Sequence, residues 1–135
     1  MILGLAIGMT VAAAGAPKAE PKVWGLAWAR SVPDAIFVVK ESTEKFRVTR
    51  VIGKSLRRTL KLTLKKLGSD PEALFDHIHV AAQKWEAFLP CGPRMRLAQI
   101  KKGGVVWEEN FCVEMLPRDD QEALATFLER LDFRG

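Results

Sequence analysis

The 135-residue chain has no tyrosine, a single asparagine (Asn110), two histidines and two cysteines, and the last two shortages each narrow the chemistry open to it. Two cysteines, Cys91 and Cys112, cannot build a multi-disulfide framework, and no Cys-x-x-Cys or Cys/His spacing suited to structural zinc is present. Two readings stay open for the pair. A single bridge is feasible because Cys91 precedes one predicted strand and Cys112 lies on the next; two buried reduced thiols are the expectation unless the chain is exported. His77 and His79 are two residues apart, so on a helix they face different directions and do not share a metal ion. Both read as solvated surface side chains. No Ser/His/Asp set, no cysteine with a partnered histidine and no metal cluster assembles, so the sequence predicts no catalytic residue, no metal site and no cofactor. No apolar run reaches the roughly 20 residues that a membrane-spanning helix needs.

Acid is lacking too, in one place. From Lys45 to Leu67, KFRVTRVIGKSLRRTLKLTLKKL, no Asp or Glu interrupts the cations Lys45, Arg47, Arg50, Lys54, Arg57, Arg58, Lys61, Lys65 and Lys66. The formal net charge is only +5, so the remainder of the chain is net acidic and the basic character is local. A concentrated positive field draws phosphates or acidic surfaces by Coulomb attraction and counterion release. The sequence therefore predicts a small basic binding module without enzymatic activity, contacting the backbone of a nucleic acid (DNA or RNA) through Arg47, Arg50, Lys54, Arg57, Arg58, Lys61, Lys65 and Lys66. An acidic protein surface, or a second copy in a homo-oligomer, is the alternative partner for the same face. Gly53-Lys54-Ser55 and Lys101-Lys102-Gly103-Gly104 lack the longer glycine frame of a phosphate-gripping loop.

Residues 55–67 satisfy two templates. As a strand, Leu60, Leu62 and Leu64 alternate with Thr59, Lys61, Thr63 and Lys65; as a helix, Leu56, Leu60, Leu64 and Leu67 form a stripe between Ser55 as N-cap and Gly68 as C-cap. The strand is favoured for 59–66, because a helix would leave Leu62 on its polar face. Either way the leucines turn inward and most cations outward.

The chain begins with MILGLAIGMTVAAAGA, which is a buried first strand from Ile2 to Ile7 in a cytoplasmic protein or, alternatively, a secretory signal. Ala12-Ala13-Ala14 and Ala14-Gly15-Ala16 have the small-x-small form of a cleavage site, although no Lys or Arg precedes the apolar run. Pro17–Pro21 reads as an extended linker. ILGLAIG and VWGLAWA (Val23–Ala29) resemble the first two strands of RNase H-like nucleases and Holliday-junction resolvases. That family places a metal-binding Asp where Ala6 stands, and a Glu where Ala81 stands in VAAQ. The resemblance thus implies a nucleic-acid-binding domain without two-metal cleavage, which needs clustered carboxylates. It also requires a strand near residue 78.

Strands are expected over 23–30, 35–40 and 46–52, the first two separated by the turn Ser31-Val32-Pro33-Asp34. Asp70, Pro71 and Glu72 start a helix whose apolar positions run from Leu74 and Phe75 to Phe88 and Leu89, until Pro90 and Gly92 stop it. That helix competes with the strand the resolvase resemblance requires. A hairpin follows over Arg94–Lys101 and Val105–Met115, with Glu108 and Glu114 on one face and Glu109 on the other. Pro117–Leu131 closes the chain as a second amphipathic helix, its first turn acidic at Asp119, Asp120 and Glu122 to suit the helix dipole. The expected fold is a single α+β domain over 1–135: an antiparallel sheet, made of an N-terminal meander and a C-terminal hairpin, with two amphipathic helices packed on it.

Overall fold

A computed structural model describes residues 21–85, 90–92 and 94–131. The expected first strand at 2–7, the signal-like reading of residues 1–16 and the helical positions Phe88 and Leu89 lie outside the described residues. Among those described, the elements run β1 (Lys22–Trp28), β2 (Asp34–Lys40), β3 (Lys45–Ile52), β4 (Leu56–Thr63), α1 (Leu64–Leu67), α2 (Pro71–Ala82), β5 (Arg94–Lys101), β6 (Gly104–Cys112), a 3-10 turn (Val113–Met115) and α3 (Arg118–Glu129). The strands form one six-stranded sheet in the order β4-β3-β2-β1-β5-β6, and every neighbouring pair is antiparallel. This is the α+β architecture expected from the sequence.

Alternation in β1 to β3 decides which face is covered. Trp24, Leu26, Ile36, Val38, Phe46 and Val48 all point to one side and are buried under the helices, joined there by Met95 and Leu97 of β5 and Phe111 of β6. Helix α2 contributes Leu74, Phe75 and Ile78, and α3 contributes Leu124 and Phe127. Phe75 sits at the centre, its ring 5.5 Å from that of Trp24 and 5.6 Å, edge-on, from that of Phe127. The indole Nε1 of Trp24 is buried without a hydrogen-bond partner. Such an orphan costs about 1–3 kcal/mol. Burying the rest of the ring returns roughly 4–6 kcal/mol, from some 150–250 Å² at about 25 cal/mol per Å², so the side chain stays in.

The ambiguous stretch takes both forms in succession. It is a strand as far as Thr63 and then a single helical turn, so the expected strand over 59–66 is too long at its C-terminal end. Local chemistry draws the boundary: the Thr63 hydroxyl accepts a hydrogen bond from the Lys66 amide (3.2 Å), and Gly68, at φ +80°, caps the turn by donating its amide to the Leu64 carbonyl (3.0 Å). The turn swings Leu67 into the core, while Leu62 and Leu64 pack against the core's edge. Leu56 departs from the expected inward set. It lies at the far end of β4, past the helices, and is 43% exposed.

Helix α2 starts where the sequence indicates, Asp70 accepting a bond from the Glu72 amide (3.0 Å) ahead of Pro71. Its described helical residues end at Ala82. Residue 78, where the resolvase resemblance requires a strand, is therefore the buried Ile78 of a helix. Glu72 ties this helix start to the sheet through Lys22 of β1 and Lys40 of β2, the latter at 2.6 Å. Helix α3 begins at Arg118, one residue after the expected Pro117, which serves as its N-cap. Cys91 and Cys112 are joined in a disulfide, the single bridge of the two readings, which fixes the segment after α2 to the end of β6.

Candidate nucleic-acid interface

Among the described residues, no helix or strand covers the face of the sheet opposite the helices. Its strand register sets out cross-sheet rows, because each antiparallel pair places partners side by side about 5 Å apart. One row reads Lys61, Arg47, Val39, Val23, Ile100 and Val105 from β4 to β6; the next reads Thr59, Thr49, Phe37, Gly25, Ala98 and Glu108; the third reads Arg57, Val51, Ala35, Ala27, Arg96 and Asn110. Cations thus occupy the β3–β4 side and half-buried apolar side chains the centre. The hydroxyls of Thr49 and Thr59 are 3.0 Å apart and lie between the Arg47–Lys61 and Arg57–Val51 pairs. Lys45 opposite Thr63 extends the basic strip.

The structure divides the eight residues that the sequence groups. Arg47, Arg57 and Lys61 share the open face. Lys54 stands in the β3–β4 turn, where Gly53 adopts φ +62°, and Lys65 and Lys66 are exposed on α1, beyond the end of β4. Arg50 and Arg58 point to the other side of the sheet, because even-numbered positions of these strands face the helices. Arg58 lies past the helices and is exposed. Arg50 is engaged: its Nε donates to Asp34 Oδ1 (3.0 Å) and its Nη2 to Oδ2 (2.8 Å), a bidentate clamp on a carboxylate that is 4% exposed. Donating these hydrogen bonds to Asp34 holds the guanidinium pKa above its ordinary value. Arg30 reaches the same carboxylate at 3.5 Å, and both guanidinium groups stack near the Trp28 ring. The charge of Arg50 is thereby spent on the fold, which corrects its place among the outward cations. None of the other seven makes an ion pair among the described residues.

No protein-family model matches the chain, and no curated protein or solved structure does. The site is therefore read from its own geometry.

Elsewhere the titratable groups pair for structural ends. His77 is exposed as expected, its Nδ1 3.3 Å from Oδ1 of Asp120, an acid that is buried rather than solvated at the start of α3. The pair borders a cavity of about 480 Å³ between α2 and the start of α3, walled by Val80, Ala81, Trp85 and Met115. His79 is not a solvated histidine: it stacks flat on Trp107 (3.9 Å between centroids), with Glu109 at 3.3 Å. Glu109 faces the helices, whereas Glu108 is on the open face 3.6 Å from Arg96. Glu114 leaves the strand for the 3-10 turn, so it does not continue the face of Glu108. Among the described residues no group of three or more His, Cys, Asp or Glu is placed to hold a metal ion.

The apolar centre of the open face, Val23, Phe37, Val39, Val51 and Ile100, is what reading the charges alone misses. Its signal is in β2, DAIFVVK, where both alternating sets are apolar. A strand with one solvated face alternates with polar residues; one apolar on both sides has something to bind on each.

Proposed function

We propose that the chain is a non-enzymatic nucleic-acid-binding module whose contact surface is the β3–β4 side of the open sheet face with the turn and helical turn that flank it. The observation that carries the reading is the set of exposed cations Arg47, Lys54, Arg57, Lys61, Lys65 and Lys66, with Arg58 on the reverse of the same edge, none of which has a carboxylate partner among the described residues. Uncompensated cations clustered at one side of a sheet form the footprint that phosphates neutralise, and releasing condensed counterions supplies the affinity. Retention of labelled DNA or RNA at two salt concentrations tests the reading. Binding should weaken steeply as salt rises, and no binding at low salt would eliminate it, leaving an acidic protein surface as the partner of this face.

The Cys91–Cys112 bond favours a second reading, an exported domain from which residues 1–16 have been removed, since stable disulfides persist where thiols are not kept reduced. The bond by itself is compatible with either compartment. Mass spectrometry of the protein from its native cells discriminates: an intact Met1 with two free thiols ends the exported reading.

A further inference from the structure

We infer that the nucleic acid bound is an unpaired single strand, its bases lying on the apolar centre of the open face around Phe37 and its phosphates running along the cations of β3 and β4. This rests on the backbone-binding reading above and specifies the ligand of the same surface. A duplex turns its phosphates outward and hides the faces of its bases, so it can use cations but gains nothing from a flat apolar floor. An unpaired strand offers both kinds of surface to one side of a sheet, phosphates to Lys and Arg and base faces to apolar or aromatic side chains.

The open face has that composition in adjoining rows. Arg47 is paired with Lys61 on one side and with Val39 on the other, and Arg57 is paired with Val51, which is paired in turn with Ala35. Between these rows lies Phe37, opposite Gly25. A Cβ at Gly25 would lie 3.3 Å from Cε1 and 3.5 Å from Cδ1 of Phe37, and 3.5 Å from Cδ1 of Ile100. The absence of that atom leaves the space over the β1 backbone to the Phe37 ring and the end of the Ile100 side chain. No acidic residue occupies an open-face position on β1, β2, β3 or β4; Glu108, on the distant β6, is held beside Arg96. The open-face strand positions from β4 to β1 therefore present no carboxylate to repel a phosphate backbone.

Fluorescence anisotropy of the full chain with two fluorescein-labelled probes at low salt tests the assignment: an oligothymidylate of about 15 nucleotides and a mixed-sequence duplex of the same length. The single strand should bind about tenfold more tightly than the duplex. Phe37→Leu keeps an apolar side chain but removes the π-face, and should weaken single-strand binding roughly five- to tenfold while leaving duplex binding and the salt slope unmoved. Arg47→Gln should instead lower the salt slope by about one for both probes. Duplex binding equal to or tighter than single-strand binding, or a Phe37→Leu chain that binds the single strand unchanged, overturns the inference while leaving the backbone reading in place. Failure of both probes to bind overturns both readings, and the mass in solution then shows whether a second copy covers the face. Urea unfolding of each variant checks that it keeps the parent's stability, so that lost binding is not lost folding.

Discussion

The Asp34 carboxylate accepts two hydrogen bonds from Arg50 on the helix side of the sheet, directly across from a second cation, Arg58. Like charges in register on neighbouring strands repel, and Asp34 is what offsets them. Asp34→Asn should lower the unfolding free energy by about 2–3 kcal/mol, less than for a fully enclosed pair because Arg50 is one-third exposed. Urea unfolding with an unchanged m-value would register it. Glu72 makes the pH dependence legible. Hydrogen bonds from Lys22 and then Lys40 hold its pKa below the ordinary 4.5, and the same contact raises that of Lys22 above 10.5. A carboxylate depressed in the folded state adds stability that is complete above the unfolded-state pKa and lost as pH falls through the folded one; the raised lysine adds stability below its ordinary value that is lost as pH rises past it. The melting temperature should therefore fall on acidification below about pH 4.5. In Glu72→Gln that acid limb should be shallower in a series of thermal melts.

At the scale of elements, the helical turn α1 shows how one segment honours two patterns. The period-two leucines win while β3 is alongside to pair with, and the Thr63 and Gly68 caps win once β3 has ended at Lys45. Gly68→Ala forces a side chain into φ +80° and should cost about 1 kcal/mol in chemical denaturation. The strands, both long helices and their starts are readable from the sequence because alternation, Asp70-Pro71 and the acids ahead of α3 are local signals. Which side of the sheet each cation takes is not local. Arg47 and Arg50 look alike in a charge count, but they stand three positions apart, an odd offset, so they take opposite faces, and only the burial of Phe46 and Val48 tells which face is open. Asp34 likewise reads as a turn residue until Arg50 is found opposite Ile36, two pairs along from it and on the same face. Pairing in the fold, across 16 residues of chain, assigns its role.

Over the whole molecule, charge and covalent structure are separated. The free cations gather on the β4 side of the sheet, and the disulfide pins the β6 side, closing a loop of sequence separation 21. The Cys91→Ala/Cys112→Ala chain should lose about 3 kcal/mol by denaturant unfolding while its salt-dependent binding stays unchanged, because the bond lies at the opposite edge from the cations. The strand order has a further consequence, for the path by which the chain folds. Strands β1 to β4 are a meander and β5–β6 a hairpin, and each can close with its neighbour in sequence. Within the sheet the two are joined along β1 and β5, from Val23 opposite Ile100 to Trp28 opposite Met95, across some 70 residues that include α2. Closing a loop of that length draws most on chain entropy, so the seam between β1 and β5 sets the pace of folding for the entire sheet.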